Sequence, residues 1–469
     1  MKTNKVLIFI LLVFVYTISF AQMTDEIPEL QTAGISYIVM DAETGKTLKA
    51  HREHVSMTPA STIKIIATAA AIDKFGPEHC FETKLAIQGN LEDGILNGNV
   101  YILGNGDPAL GSIRFQHHYY GPFSFLKRWS EAIEDTGIKR IDGNIVGSEN
   151  QNLLNKIPRT WIWEDIANYY GASPSLLNIY ENTYQISFDT GNKPGDTTTI
   201  KKITPDDLKI EFRNDVIASD GGGDKAFIFG IPGTQQRIIR GTLPAGHDNF
   251  IIKGAIPDPA LLAAKHLRDE LEKNGINVTG NATTGIPMPK TETIHTLKSP
   301  PLQDLIKLTH YKSINLYANM IGLLFSEERI TDKALENLIT YWNEKGLRTE
   351  GMKLEDACGL SGFNQVSAFQ LAYVLKYMND TEYADEFKAS LPVSGKSGTL
   401  KYFGRNSDFQ SKFHGKSGSI KRVSCYAGYL ETNSGKNVIV VSMINRYDNS
   451  SGTIKKIQAD FIEKIYLDY

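Results

Sequence analysis

Three cysteines in 469 residues can close one disulfide at most, so Cys80, Cys358 and Cys425 are not the framework of a cross-linked fold. No Cys-x-x-Cys pair occurs, and His51/His54 and His117-His118 lack ligand partners nearby, so no zinc pattern is formed. A dominant charge of one sign is missing too. Fifty Lys and Arg against 53 Asp and Glu leave a net charge of −3, too little to hold a polyanion by counterion release, so nucleic acid is not an expected partner. Tandem repeats and low-complexity tracts are absent. So is an apolar run of about 20 residues, the length a bilayer span requires. The longest run, Val6 to Phe20, has 15 residues, follows Lys2 and Lys5, and ends in Ser19-Phe20-Ala21-Gln22. That is the pattern of a signal peptide cut after Ala21, which predicts an exported, periplasmic protein. With no cysteine near the cut, a lipid anchor has no attachment point.

What is present is ordinary for a globular chain: 41% hydrophobic and 22% charged residues, over a length that asks for about three domains. Residues 34–40 alternate as a strand, 41–46 turn, and 47–50 return beside it. The Ala-rich stretch 59–72 predicts a helix opening at Pro59, apolar enough to be central. From about 81 to 286 the pattern shifts to short strands broken by Gly, Asn and Asp, with helices at 123–135 and 259–274. This reads as an inserted mixed domain, and its Thr-, Asp- and Gly-rich part as a second domain nested inside it. Residues 300–380 are helical again. The stretches 412–420, 423–430 and 438–445 then form an antiparallel meander, and Ile454, Ile457, Phe461 and Ile465 recur at the spacing of a helix that covers that sheet. The domains expected are 23–85 with 287–469, 86–181 with 254–286, and 182–253.

Chemistry concentrates at three short motifs. Ser61 and Lys64 form S-x-x-K at the start of the central helix, and i,i+3 spacing puts both on one face. A serine hydroxyl needs a base, and a lysine serves if desolvation and nearby positive charge lower its pKa. Ser124 and Lys127 match the same pattern, but Phe123 and Trp129 beside them suggest packing. Ser313-Ile314-Asn315 is S-x-N between two helical stretches; Ser148-Glu149-Asn150, Tyr180-Glu181-Asn182 and Tyr317-Ala318-Asn319 fit it or a tyrosine variant, and order in the chain favours Ser313. Lys-Ser-Gly occurs at 396–398 and 416–418, and only the second lies on a clear strand. There Lys416 and Gly418 share a face, the lysine offering charge to a carboxylate and the glycine letting a peptide backbone approach.

S-x-x-K, S-x-N and K-[ST]-G in this order are the motif set of penicillin-binding proteins and serine β-lactamases. Pro59-Ala60-Ser61-Thr62-Ile63-Lys64, Gly104-Asn105-Gly106-Asp107-Pro108, Gly171-Ala172-Ser173-Pro174-Ser175, Asp356-Ala357-Cys358-Gly359-Leu360-Ser361 and His414-Gly415-Lys416-Ser417-Gly418-Ser419 followed by Tyr426-Ala427-Gly428-Tyr429 narrow the likeness. The sequence resembles the DacB-like class C penicillin-binding proteins, the D-alanyl-D-alanine carboxypeptidase/endopeptidase family. Ser313 lies 249 positions after Lys64, room for this family's nested insertions, which compact β-lactamases lack. Ser417 and Ser419 stand where threonines are more common, and Cys358 where serine is.

The resemblance implies an α/β (α+β) catalytic domain of the β-lactamase/transpeptidase kind, an antiparallel sheet between helices interrupted by two inserted mixed domains. It implies acyl transfer on peptidoglycan stem peptides with no metal or organic cofactor, and β-lactam antibiotics as inhibitors. Ser61 is then the nucleophile, Lys64 its base, and Ser313 with Lys416 the relay to the leaving amine. Backbone N–H groups of Ser61 and Ser419 form the oxyanion hole, Asn315 holds the substrate amide, and Lys416, Ser417 and Gly418 meet the terminal carboxylate and backbone. The acidic, aromatic segment Trp161-Ile162-Trp163-Glu164-Asp165 and Tyr169-Tyr170 is expected to take the stem peptide's side chain, with Glu164 as anion and Trp161 and Tyr169 as walls. A β-lactamase or esterase on the same scaffold, and a catalytically idle wall-binding protein, are the rival readings; intact Ser61 and Lys64 argue against the second.

Overall fold

The computed structural model describes residues 27–119, 121, 123–149, 156–286 and 290–469, so the export signal read at 1–21 lies outside the described residues. The first hairpin pairs β1 (Gly34–Asp41) with β2 (Thr47–His51), and helix α1 (Lys64–Phe75) follows. After the insertions come α2 (Leu302–Lys312), α3 (Asn315–Leu323), α4 (Ala368–Asn379), the strands β3 (Phe413–Ile420), β4 (Val423–Glu431) and β5 (Asn437–Asn445), and the terminal helix α5 (Ser451–Asp468). The five strands form one antiparallel sheet in the order β3-β4-β5-β1-β2, with Val39 opposite Val440 and Ala427 opposite Val441.

The central strands are apolar on both sides because both sides are covered. Along β5, Ile439, Val441 and Met443 join the large core shared with α1 and α4, while Val438 and Val440 face the opposite way against Ile462 and Ile465 of α5. Ile454 and Ile465 of the predicted helical stripe are buried, and Ile457 and Phe461 pack partly against the same layer. The expected single helix over 59–72 is two pieces: a 3-10 turn at Ala60–Ile63, then α1, buried from Lys64 to Ile72. Its small Ala67, Ala69, Ala70 and Ala71 let neighbours close around it.

A seven-stranded sheet is built from Glu82–Glu92, Ile95–Gly104, Arg140–Ile141, Ile145–Ser148, Asn277–Val278, Ala282–Gly285 and Glu292–Lys298. This corrects the expected boundaries at 85/86 and 286/287. The first falls inside a strand, and Glu292–Lys298 pairs with Glu82–Glu92 instead of joining the catalytic sheet. The chain crosses between the units where Ser299 N donates to Phe81 O and Phe81 N donates to Ser299 Oγ, both at 2.9 Å. Two three-stranded sheets lie between Thr183 and Ala255, and the strand Phe250–Ala255 runs across the expected 253/254 limit because it pairs with Thr183–Asp189. Among the described residues, no helix is long and apolar enough to cross a membrane.

Candidate active site

Ser61 sits in the 3-10 turn and Lys64 closes it. In 3-10 geometry residues i and i+3 eclipse, which brings Lys64 Nζ to 2.9 Å from Ser61 Oγ. Lys64 is fully buried, and Nζ has two further neighbours, Asn315 Oδ1 at 2.8 Å and the Cys358 carbonyl. The amide's orientation is fixed by its other end, since Asn315 Nδ2 donates to Tyr170 O at 2.8 Å. A neutral lysine has two N–H groups and one lone pair. As the ammonium, Nζ donates to all three acceptors; once neutral it keeps Asn315 Oδ1 and the Cys358 carbonyl for its two N–H groups and leaves the lone pair for the Ser61 hydroxyl. Burial pushes the Lys64 pKa down to about 8, against the opposing pull of Cys358 and Asp356. The Cys358 thiol is itself driven well up by burial and stays neutral, so Asp356 supplies the standing negative charge.

A second buried lysine lies beside the first. Lys416 Nζ donates to Ser313 Oγ at 3.0 Å and to Ser417 O at 2.7 Å, and burial together with the Lys64 charge holds its pKa well below the usual value. Ser313 reaches it because α2 stops there: the residue adopts φ 56°, ψ 38°, Ile314 is extended, and α3 begins at Asn315. Beneath both lysines His310 is fully buried, with Nε2 3.0 Å from Thr68 Oγ1 and Nδ1 2.8 Å from Ser390 Oγ. Burial, then Lys416 and Lys64, push its pKa down to about 3, so it adds no third cation.

Strand β3 borders the opening. Gly415 N donates to Pro392 O on the side away from β4, and pairing sides alternate along a strand, so Ser417 and Ser419 N–H face the same free side. Ser61, Ser313, Asn315 and Ser419 share a cleft of about 800 Å³ with Ile162, Glu164, Asp165, Tyr169, Tyr170 and Lys253. The backbone N–H of Ser61, early in its turn, and that of Ser419 are thus two donors at one mouth.

A model of the D-Ala-D-Ala carboxypeptidase 3 (S13) family matches residues 17–465. The chain belongs to this family. It is 24% identical to the D-alanyl-D-alanine carboxypeptidase DacB of Haemophilus influenzae over 95% of this chain and 92% of that protein. It is 25% identical to a D-alanyl-D-alanine carboxypeptidase of an Actinomadura species over 90% of this chain and 79% of the relative. The crystal structure of penicillin binding protein 4 (dacB) from Haemophilus influenzae superposes with a TM-score of 0.78 at 22% identity, covering 92% of this chain and 96% of that one. The fold is therefore β-lactamase/transpeptidase-like with inserted domains, as the motifs implied.

Several expected roles change in this S13 chain. Gly418 does not open space for a substrate backbone. A Cβ there would fall 2.6 Å from Pro59 O and 2.9 Å from Ser61 N, so its bareness admits the enzyme's own nucleophile turn. Lys416 is fully buried with Nζ against Ser313 Oγ and Ser417 O, while the hydroxyls of Ser417 and Thr399, 2.8 Å apart, stand nearer the surface. Trp161 is not a cleft wall. It is 5% exposed, packs with Ala318 and Cys358, and donates Nε1–H to Asp356 Oδ2 at 2.7 Å, while Ile162 and Tyr170 line the cleft beside Glu164 and Tyr169.

The competing motifs have local explanations. Ser124 Oγ donates to the Gly121 carbonyl at 2.9 Å, and Lys127 pairs with Glu131 on the surface. Ser148 Oγ accepts from Gly104 N, whereas Asn150 lies outside the described residues. Lys396 is exposed in a turn whose Thr399 meets Ser417. All three cysteines are free thiols. Asp356, quoted in a family-like stretch but given no role from the sequence, has a carboxylate that accepts from the N–H groups of Cys358, Gly359 and Ser361, from Trp161 and from Asn364. It winds the loop that aims the Cys358 carbonyl at Lys64. The Asp-x-x-Gly turn pattern was its visible sign.

Proposed function

We propose that this protein is an exported serine-type D-alanyl-D-alanine carboxypeptidase/endopeptidase that works on peptidoglycan stem peptides and is acylated by β-lactams. The observation that carries this reading is the buried Lys64 amine, 2.9 Å from Ser61 Oγ, with both its N–H groups matched to acceptors. With a pKa of about 8, roughly 300-fold more of this amine is neutral at pH 7 than of an ordinary lysine. Ser61 Oγ attacks the carbonyl between the two D-alanines while its proton passes to Lys64. The Ser61 and Ser419 N–H groups receive the developing oxyanion, each donor worth about 3–4 kcal/mol in the transition state. The C–N bond breaks as Ser313, fed by Lys416, delivers a proton to the leaving amine. Proton exchange with solvent resets Lys64 to the neutral amine and Lys416 to the ammonium; water then attacks the ester and gives its proton to Lys64, which returns one to Ser61 Oγ as the acid is freed. Asn315 keeps one Nδ2–H for the substrate amide, since Tyr170 O takes only the other.

The half-buried Asp165 and exposed Glu164 form an acidic lip that suits an amine-bearing stem-peptide side chain, with Tyr169 alongside. Relatives named as D-alanyl-D-alanine carboxypeptidases, and a β-lactam complex of the Haemophilus influenzae protein, support the same reading.

Labelled penicillin tests it. A lasting adduct on wild type and Ser124→Ala, lost in Ser61→Ala, is expected; labelling that survives Ser61→Ala, or rapid turnover of the drug without accumulation, overturns it. Mass analysis of digested muropeptides then separates carboxypeptidase from endopeptidase products.

A further inference from the structure

Asn168 lies in the insert, two residues before Tyr170, and is 4% exposed. Its side chain forms a joint to the nested unit: Oδ1 accepts from Ile228 N at 3.0 Å, and Nδ2 donates to Ile228 O at 3.1 Å and to Glu164 O at 2.6 Å. Ile228 belongs to the strand Lys225–Phe229, so the amide copies one rung of strand pairing. The same stretch is tied to the nested unit again where Ala255 N donates to Ala167 O at 2.9 Å and the Trp163 ring packs on Phe229 with centroids 5.1 Å apart. On the other side of the joint, Gly171 N donates to Asn168 O at 2.9 Å, closing the turn that decides where the Tyr170 carbonyl points. That carbonyl holds Asn315 Nδ2, and Oδ1 of the same amide faces Lys64. Turned the other way, the amide would present N–H groups to an amine whose own N–H groups need an acceptor.

We propose that Asn168 is a positioning residue for the Lys64 base, so that the nested unit, through Ile228, Asn168, Tyr170 O and Asn315, holds the Ser61–Lys64 pair in reacting geometry. The proposal rests on the acyl-transfer reading of that pair. It gives the nested unit a part in catalysis although none of its residues touches the reacting atoms.

The experiment is a double-mutant cycle on the full mature chain. Second-order acylation by a fluorescent penicillin is measured from pH 6 to 10 for wild type, Asn168→Ala, Asn315→Ala and the double variant, with thermal unfolding in parallel. The groups facing Lys64 are Ser61, Asp356 and Cys358, Lys416 from β3 and His310 from α2, and all stay in place. Asn168→Ala is expected to slow acylation about 10- to 100-fold, as a misplacement approaching 1 Å does, and to move the midpoint of the pH profile. The double variant should be no slower than Asn315→Ala, because both changes act through one amide. Asn168→Asp, which keeps the acceptor for Ile228 N, should fall between. Multiplying effects, or a folded Asn168→Ala with the wild-type rate and profile, overturn the proposal. Should Asn168→Ala not fold, Trp163→Ala, at an exposed ring on the same joint, takes its place. A several-fold loss that vanishes in the Asn315→Ala background is then expected, and an unchanged profile overturns the proposal. Persistent labelling of Ser61→Ala would instead defeat the underlying acyl-transfer reading, a separate result.

Discussion

Replacing Gly418 with alanine adds one methyl group where strand β3 meets the Ser61 turn. An ideal Cβ at that position lies 2.6 Å from Pro59 O, 2.8 Å from Thr62 N and 2.9 Å from Ser61 N, and all three are backbone atoms that no rotamer change removes. Restoring ordinary contact requires strand and turn to part by nearly 1 Å. The movement carries Ser61 away from Ser419 N–H and from the Lys416–Ser313 pair while each half stays intact. Overpacking of this kind costs about 1–3 kcal/mol of stability, which a domain of this size survives. Catalysis is less tolerant, and about 100-fold slower acylation is expected. The assay is the second-order rate with a fluorescent penicillin, beside thermal unfolding to establish that the variant is folded. Gly452→Ala, where the added methyl meets Ser450 Oγ at 3.7 Å in the terminal helix, serves as the neutral comparison. A folded Gly418→Ala within about 3-fold of the wild-type rate would refute the claim that close approach of β3 aligns the two halves of the site.

Acylation should rise about tenfold per pH unit below a midpoint near 8 and level off above it, because the neutral Lys64 amine is the active form and is lost as pH falls; a stopped-flow pH profile reads this, and Lys64→Arg should be inactive throughout since guanidinium does not give up its proton. Lys416→Ala should slow acylation by orders of magnitude and Lys396→Ala by little, because only the former touches Ser313; the reverse ranking in the same assay would place the relay on the wrong strand. Asp165→Asn should lower kcat/KM for peptides bearing a free side-chain amine about 10-fold or more, and Glu164→Gln only a few-fold, since a half-buried ion pair outweighs an exposed one. Acetylated D-Ala-D-Ala should be unaffected, and the amine preference should fade below about pH 6, where the Asp165 carboxyl, raised by burial and then by Glu164, takes up its proton.

Much of the site was legible because its chemistry needs particular side chains at particular spacings. Ser61 and Lys64 meet at i,i+3 whether the turn is α or 3-10, so the motif survived a wrong assignment of helix type. Ser313 and Asn315 were legible from order in the chain and from the helix break between them. The half of the site that was not legible is made of backbone. The Cys358 and Tyr170 carbonyls carry no side-chain signature, and each is set from two residues upstream, one by the Asp356 carboxylate and the other by the backbone carbonyl of Asn168, whose buried side chain is tied to Ile228. Trp161 was misplaced for a related reason. Aromatic density in a segment says nothing about which ring turns inward, and the partner that turns it, Asp356, lies 195 positions away. The domain limits slipped because Glu292–Lys298 pairs across two hundred positions with Glu82–Glu92, and local composition holds no record of a partner so distant.

The charges of the site explain why its two lysines are buried together. A lone buried ammonium loses hydration and drifts toward the neutral amine; a second one beside it drives both further in that direction. At Lys64 burial does the lowering, and at Lys416 burial is joined by the charge of Lys64, which suits a base beside a proton relay. A third cation would overshoot, and His310 avoids it by lying between Thr68 and Ser390 as a neutral ring. Asp356 limits the shift from the other side, since its carboxylate, held by five donors, pulls the Lys64 pKa up against burial. The same carboxylate winds the loop that presents the Cys358 carbonyl. One residue therefore contributes to both the position and the proton affinity of the base, so a substitution at Asp356 changes the two together.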